Sequence, residues 1–222
     1  YKNENCTVEI RDFIKTPPKN KFKAIVANPP YIRHHRIDPE TKLLLKYLAA
    51  NITGSTIDGR AGYHIYFLIQ ALHLLEVNGK LAFIMPADTC EGKFATNLWK
   101  WISEKFCIEA IITFDEKATP FPNVDTNAVV ILLKNCKPAT NFFWVKANEA
   151  YSPDLFNFVD SKFKRTTFHS LDIYDRSIKE GIATGLSRPK QNQLAYKYFL
   201  QDFAKVVRGI ATGANEFFFL TS

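Results

Sequence analysis

The tetrapeptide Asn28-Pro29-Pro30-Tyr31 is the segment whose residue types and spacing best suit chemistry. The Asn28 side-chain oxygen and the Pro29 carbonyl are two adjacent hydrogen-bond acceptors, and the prolines restrict the backbone that carries the second one. Such a pair can accept both N–H bonds of an amino group on a purine ring, whose lone pair is otherwise delocalised into the ring. Tyr31 supplies a flat face on which a base taken out of a duplex can stack. The alternative is a plain turn, because Asn-Pro-Pro also serves simply to end a strand.

The elements that must position this tetrapeptide alternate between strands and helices. An apolar run at residues 21–27 predicts a buried strand that ends where the tetrapeptide begins. We also predict strands at 7–10, 81–85, 108–114 and 128–133 and helices at 63–76 and 92–105, with Gly79 as a left-handed residue after the first helix. This alternation indicates an α/β sheet, in which ligand sites lie in loops at the carboxyl ends of strands.

Two segments resemble motifs of one group of enzymes. Asn28-Pro29-Pro30-Tyr31 resembles motif IV of the amino-methyltransferases, which methylate exocyclic nitrogens using S-adenosylmethionine. Residues 121–130, a Phe-Pro loop leading into an Ala-Val-Val strand, resemble motif VIII of the TaqI-type N6-adenine DNA methyltransferases. The resemblance implies that Asn28 and Pro29 orient the amine of a flipped adenine, while Tyr31 and Phe121 stack on its two faces. The alternative for Phe121 is an aromatic ring that fills the core at a loop.

The same resemblance implies a site for S-adenosylmethionine. Asp12 and Phe13 match motif III, where an acidic residue binds the amino group of the cofactor's adenine and an aromatic ring flanks it. Pro30 would form part of the pocket wall, and Phe67 lies where motif V places an aromatic residue. A carboxylate accepts from an amine, which suits Asp12. Simpler alternatives are a capping role for Asp12 and a core position for Phe67.

Arg33, His34, His35 and Arg36 are similar to the basic segment that trails motif IV in large TaqI-type enzymes. We predict that they contact DNA phosphates beside the flipped base, the alternative being a solvated basic face. The formal net charge of +7 also suits double-stranded DNA as a polyanionic partner. Adjacent histidine side chains diverge on a helix or a strand, so we predict no metal site.

The order of the matching segments resembles that of the gamma class, with residues 207–218 similar to the opening of a target-recognition domain. The resemblance therefore implies the α/β, Rossmann-like core of the class I S-adenosylmethionine-dependent methyltransferases, missing its first strands. We predict this catalytic core at residues 1–150, a mostly helical connection at 151–205 and the beginning of a target-recognition domain at 206–222.

One part of the family pattern is missing from the sequence. No glycine-rich turn of the kind that binds S-adenosylmethionine precedes Asp12. We expect the strands that carry this turn to lie upstream of Tyr1. Without them, a strand at 7–10 would have no neighbour, the strand at 21–27 would expose an edge, and this chain alone would bind the cofactor weakly or not at all.

The sequence thus predicts a site-specific DNA methyltransferase that acts on N6 of adenine in restriction-modification or phage defence, with a restriction endonuclease domain or subunit as a candidate partner. Two alternatives stay open: an RNA-adenine or protein-glutamine methyltransferase of the same fold, and a non-catalytic DNA-binding subunit. The 4 cysteines form no Cys-x-x-Cys pair, and no apolar run is long enough to cross a membrane. We therefore expect a cytoplasmic protein without membrane contacts.

Overall fold

The computed structural model describes residues 7–91, 95–121, 127–149, 151–189, 198 and 202–205. Within them, 6 strands form one sheet in the order β1-β2-β4-β3-β5-β6. The strands are β1 (Phe22–Ala27), β2 (Leu75–Pro86), β3 (Cys107–Phe114), β4 (Ala128–Lys134), β5 (Asn141–Ala147) and β6 (Leu171–Ser177). The helices are α1 (Pro39–Thr53), α2 (Tyr63–His73), α3 (Ala95–Lys105), α4 (Pro153–Asp160) and α5 (Ile178–Thr184), and short 3-10 helices span His34–Arg36, Ala87–Cys90 and Glu116–Ala118.

The strand pairing brings the carboxyl ends of several strands to one edge of the sheet. β1 is parallel to β2, and β3 is parallel to β5. β4 lies between β2 and β3 and is antiparallel to both, whereas β6 is antiparallel to β5. β1, β2, β3 and β5 therefore run in the same direction, and the loops that follow them meet at what we call the carboxyl edge.

The two faces of the sheet carry separate apolar clusters. On one face, α2 and α3 pack on alternate residues of β1 to β4, and this larger cluster includes Leu68, Phe83 and Leu98. On the other face, α4 packs on β3 and β5, where Phe158 lies against Ile112 and Val145. Because successive side chains of a strand point to opposite faces of the sheet, a strand can contribute to both cores.

Most of the predicted elements are confirmed. β1, β2, β3 and β4 lie over the strands predicted at 21–27, 81–85, 108–114 and 128–133, and α2 and α3 lie over the predicted helices. Residues 92–94, which begin the helix predicted at 92–105, lie outside the described residues. Helix α1 was not predicted, although Asp38 caps it by accepting a 2.8 Å hydrogen bond from the Thr41 backbone N–H.

Two local predictions near these elements are wrong. Residues 7–10 form no strand, and Val8 and Ile10 are 83% and 101% exposed. β1 is the outermost strand, so the described residues place no strand where residues 7–10 could pair. Helix α2 ends at His73, and Asn78 (φ 64), not Gly79, takes the left-handed conformation. Gly79 lies inside β2, where a Cβ atom would stand 2.9 Å from the Glu76 carbonyl oxygen.

The stretch after β5 differs from the mostly helical connection predicted at 151–205. It contains α4 and α5, but between them β6 adds to the sheet beside β5, so the sheet continues past residue 150. By its contacts the chain divides into units at 1–190 and 191–222. The predicted target-recognition segment at 206–222 lies outside the described residues, and the domain assignments stay predictions. No helix of the described residues is long and apolar enough to cross a membrane.

Candidate active site

The loops after β1, β2 and β3 meet at the carboxyl edge. Asn28 to Tyr31 follow β1, and the 3-10 helix Ala87–Cys90 follows β2. The Ala87 N–H donates a 2.8 Å hydrogen bond to the carbonyl oxygen of Asn127, just before β4. Because β3 ends at the same edge, Phe121, which lies between β3 and β4, belongs to the same group of loops. The residues predicted to bind the methyl acceptor therefore lie at one edge of the sheet.

The tetrapeptide combines a buried anchor with exposed functional groups. Pro29 is buried, whereas Asn28 and Pro30 are exposed. β1 ends with Ala27 paired to Phe83 of β2, so the turn begins at a hydrogen-bonded strand. The Asn28 amide is consequently accessible to an incoming ligand. Pro29 and Pro30 restrict the backbone that follows it.

The Tyr31 ring is held at both its tip and its edge. Its hydroxyl donates a 2.8 Å hydrogen bond to the carbonyl oxygen of Ile84 in β2. Its ring contacts the His64 ring edge to face, with centroids 5.9 Å apart. Partial burial raises the pKa of Tyr31 to about 12, so the hydroxyl keeps its proton at neutral pH. With 37% of the residue exposed, ring surface is left for another ligand.

A cavity of about 500 Å³ opens beside Tyr31. Its volume lies within the range of sites that hold small molecules. It is lined by Tyr31, Ile32, Arg33, His64, Pro86, Ala87, Asp88, Glu91 and Asn127. Asn28, Pro29 and Phe121 are not part of this lining.

Phe121 is half-buried, and its backbone N–H donates to the Thr119 hydroxyl oxygen at 3.3 Å. Residues 122–126, which complete the Phe-Pro loop, lie outside the described residues. Sheet topology puts Phe121 and Tyr31 at the same edge, and their stacking on two faces of one base stays a prediction.

The residues predicted to bind the cofactor form a partial cluster. The Phe13 and Phe67 rings lie 5.4 Å apart, and Phe67 also contacts Tyr63 at 5.2 Å. Burial, followed by the negative charges of Asp12 and Asp38, raises the pKa of Tyr63, which places the Asp12 carboxylate close to this cluster.

Asp12 itself has the capping role that was its alternative. Its Oδ1 accepts hydrogen bonds of 2.9 Å from the backbone N–H groups of Ile14 and Lys15. Capping uses one oxygen of an exposed carboxylate and leaves the second oxygen able to accept a hydrogen bond from a ligand.

The four basic residues predicted to bind DNA separate into two groups. Arg33 lines the cavity beside Tyr31. His34, His35 and Arg36 form a 3-10 helix, and His34 lines a smaller cavity of about 100 Å³. Among the described residues, no group of three His, Cys, Asp or Glu side chains is placed to hold a metal ion.

Sequence reasoning missed four polar residues that line the cavity beside Tyr31. They are His64, Asp88, Glu91 and Asn127. His64 is the second residue of the helix that was predicted from its apolar stripe, and a polar residue there carries no signal of its own. The position of Asn127 just before β4, within the segment similar to motif VIII, was the one available hint.

Comparison with known proteins extends these observations. Residues 1–121 of the 222 match the Eco57I restriction-modification methylase family. The Type II methyltransferase M.AccI of Acinetobacter calcoaceticus is 27% identical over 220 residues, which cover 97% of this chain and 40% of the relative. The chain therefore spans less than half the length of this relative.

Two solved structures show the same fold at low sequence identity. The type IIG restriction endonuclease BpuSI matches with a TM-score of 0.58 and 17% identity, over 73% of this chain and 20% of that one. A putative class I S-adenosylmethionine-dependent methyltransferase of Listeria monocytogenes matches with a TM-score of 0.50 and 15% identity, over 66% of this chain and 43% of that one. These likenesses confirm the predicted class I methyltransferase fold. Since the family match covers more than half of its residues, the chain belongs to the Eco57I restriction-modification methylase family.

Proposed function

We propose that this chain is the catalytic part of a site-specific DNA methyltransferase that methylates N6 of an adenine flipped out of duplex DNA. The observation that carries the proposal is the tetrapeptide after β1. It presents an exposed Asn28 amide at the carboxyl edge, next to the Tyr31 ring at the mouth of a cavity of about 500 Å³. A Type II methyltransferase as a relative supports the reaction class and the restriction-modification setting.

In the proposed reaction, Asn28 and Pro29 act as hydrogen-bond acceptors for the two N–H groups of the adenine amine. This directs the nitrogen lone pair towards a methyl donor and opposes its delocalisation into the ring. The nitrogen forms a bond to the methyl carbon, the bond between that carbon and the donor's sulfur breaks, and the nitrogen releases one proton. The products are N6-methyladenine, S-adenosylhomocysteine and a proton.

Tyr31 and Phe121 would hold the flipped base between them. Base stacking on an aromatic side chain contributes roughly 1–3 kcal/mol per base. The bond from the Tyr31 hydroxyl to Ile84 anchors the tip of the ring before the base arrives, so less conformational freedom is lost on binding. Arg33 at the cavity, with half-buried His34 and exposed His35 and Arg36 next to it in the chain, would bind the neighbouring phosphates.

The cluster of Phe13, Phe67 and Tyr63 beside Asp12 fits the adenine end of S-adenosylmethionine. The aromatic rings offer apolar surface for a purine, and a carboxylate can accept from its amino group. S-Adenosylmethionine, when bound, supplies an electrophilic methyl group on sulfur. For its ribose and methionine parts this sequence offers no glycine-rich turn, and we propose that such a turn belongs to another part of the full-length protein.

A restriction endonuclease activity on the same polypeptide or on a partner subunit is part of this proposal. The structural neighbour BpuSI is itself a type IIG restriction endonuclease.

The test is Asn28→Ala in the full-length protein, with Asn51→Ala on the exposed side of α1 as the matched control. Transfer of labelled methyl groups to duplex DNA should fall about 10²–10³-fold for Asn28→Ala and stay unchanged for Asn51→Ala. Mass spectrometry of digested DNA should identify N6-methyladenine.

Other outcomes would identify the alternatives. Single-stranded RNA and a glutamine-containing peptide serve as competing substrates, and preferential methylation of either would overturn the DNA assignment. Methylation that is unaffected by Asn28→Ala would remove the proposed role of the tetrapeptide. DNA binding without any methyl transfer by the unmodified protein would indicate a non-catalytic subunit.

A further inference from the structure

His64 lies where three segments of the candidate site meet. It is in the first turn of α2, and its ring edge contacts Tyr31 of the loop after β1. Its Nε2 lies 3.1 Å from the hydroxyl oxygen of Thr89 in the 3-10 helix after β2. The residue is only 7% exposed, yet it lines the cavity beside Tyr31. A single imidazole therefore touches two of the loops that form the carboxyl edge.

The surroundings of His64 hold it in this position. The Trp99 indole N–H donates a 2.7 Å bond to the Thr89 carbonyl oxygen, which ties the hydrogen-bond partner of His64 to α3. The Tyr63 N–H donates a 2.9 Å bond to the Ile32 carbonyl oxygen and joins the start of α2 to the loop of Tyr31. Gly62 makes this approach possible, because a Cβ atom there would stand 2.6 Å from His64 Cε1.

The hydrogen bonding of His64 favours one neutral form. Within the described part of the chain, its buried Nδ1 has no hydrogen-bond partner. A buried N–H without an acceptor is costlier than an unpaired acceptor, so the ring proton belongs on Nε2, where it donates to Thr89. The Tyr31 hydroxyl is engaged elsewhere, with Ile84.

We propose that His64 is a positioning residue, whose neutral imidazole holds the Tyr31 ring in the orientation that receives the flipped base. The role rests on the proposed function, since it concerns the base-stacking face of that site. The Ile84 bond fixes only the tip of the tyrosine, whereas the contact with the His64 ring supports the side of the ring. A protonated imidazole would place a second N–H at Nδ1, where the buried site offers no acceptor, and this disfavours the arrangement.

The charged neighbours define the expected pH dependence. Asp88 on the 3-10 helix after β2 favours the protonated form, but burial is the larger effect and lowers the pKa of His64 below its ordinary value of 6.5. Glu91 and Arg33 also face the cavity from the loops after β2 and β1, with opposite charges. The neutral ring is therefore present at pH 7 and above, and the arrangement is lost as pH falls through the depressed pKa.

The first experiment compares His64→Leu and His64→Gln with His73→Gln, a change at an exposed histidine of the same helix. Gln offers an amide N–H near the position of Nε2 and does not titrate. We expect His64→Leu to lower kcat about 10-fold or more, through misplacement of the stacking ring, with KM for S-adenosylmethionine unchanged. His64→Gln should retain most of the activity at pH 7, and His73→Gln should match the unmodified protein.

The pH profile separates this role from a purely structural one. The kcat of the unmodified protein and of His73→Gln should fall as pH decreases through the lowered pKa of His64, at pH values under the ordinary histidine pKa of about 6.5. His64→Gln should not show this decline. The same fall in His64→Gln, or wild-type kcat in His64→Leu, would overturn the proposal. Circular dichroism and thermal unfolding verify that each variant is folded.

A double-mutant cycle tests the contact without DNA. The unfolding free energies of Tyr31→Leu, His64→Leu and the double variant should be non-additive, since the two rings touch. Additive changes would overturn the support of Tyr31 by His64, whatever the substrate. Coupling between the rings in a protein that methylates no DNA would instead overturn the proposed function and, with it, the catalytic part of this inference.

Discussion

The two outer strands of the sheet, β1 and β6, end it in different ways. In β1 the apolar residues Phe22 and Val26 are 39% and 84% exposed, on the face opposite the larger core. In β6 the exposed positions include Asp172 and Asp175, while Arg176 is fully buried. Charged residues on an outer strand discourage pairing with another chain, and β6 has them on its exposed positions. β1 has the composition of a strand covered on both faces.

The β6 side is secured by a network around Arg176. Its guanidinium donates to both carboxylate oxygens of Glu180, at 2.8–2.9 Å, and to the Thr184 hydroxyl oxygen at 2.9 Å. It also donates to the backbone carbonyl oxygens of Gly185 and Arg188, which turns the chain back after α5.

Side chains from the body of the sheet hold the other side of this turn. The Trp144 indole N–H donates a 2.8 Å bond to the Ser187 carbonyl oxygen. Glu91 accepts a 2.6 Å bond from the Ser187 hydroxyl and pairs with Arg188 at 2.7 Å. Since Glu91 also lines the cavity, the β6 side is connected through one residue to the candidate site. The comparison therefore predicts large effects of substitution on the β6 side and small ones at the exposed face of β1.

The largest effect on stability is expected for Arg176→Met. Methionine fills much of the volume but leaves Glu180 and the turn carbonyls without their donor. Breaking a buried ion pair by removing one partner costs about 3–5 kcal/mol of unfolding free energy, and we expect a value near the lower end because the Glu180 side chain is 31% exposed. Chemical denaturation measures the change, and Lys179→Met at an exposed position of α5 is the control, expected within about 0.5 kcal/mol of the unmodified protein. Equal losses in the two variants would show that the network does not secure this side.

A smaller loss is expected for Gly185→Ala in the same turn. Gly185 has φ 103, and a Cβ atom there would lie 3.2 Å from Glu91 Cγ and 3.3 Å from Arg188 Cδ. Backbone strain of this kind costs about 1–3 kcal/mol, and the added atom also presses on the Glu91–Arg188 pair. Gly59→Ala is the control, because a Cβ atom at Gly59 would have no neighbour within 4 Å. If thermal unfolding gave both variants the same midpoint, the turn would be more pliable than its geometry indicates.

The sequence was informative where a local pattern determines structure. The apolar run at 21–27 followed by two prolines predicted both β1 and the position of the site loop, because strand ends and proline geometry are local properties. Helix α2 was predicted from its apolar stripe for the same reason. The strand at 7–10 was predicted from alternation alone, and alternation does not supply the neighbour that a strand needs.

The sequence was least informative where distant residues decide the outcome. The bond between His64 and Thr89 joins residues 25 positions apart, and nothing near either one indicates it. β6 was missed because it contains the charged Arg176, whose burial depends on Glu180 and on carbonyls of a later turn. α1 was missed because its three consecutive leucines mark no single face, and only Leu45 of the three is buried.

The smallest effect is expected for Val26→Lys on the exposed face of β1. Val26 is 84% exposed, so little apolar surface is lost from water and the unfolding free energy of this chain should change by less than about 0.5 kcal/mol. Val77→Lys is the matched control, since Val77 is 81% exposed on β2. The charge should also reduce self-association of the chain, measured by light scattering, more at Val26 than at Val77, because among the described strands β1 is an outer strand and β2 is paired on both sides. The same pair of variants in the full-length protein tests whether further segments cover the exposed face of β1. There, covering of Val26 by other segments would make Val26→Lys cost about 1.5–3 kcal/mol more than Val77→Lys, whereas equal costs would mean that this face of β1 stays exposed in the whole protein as well.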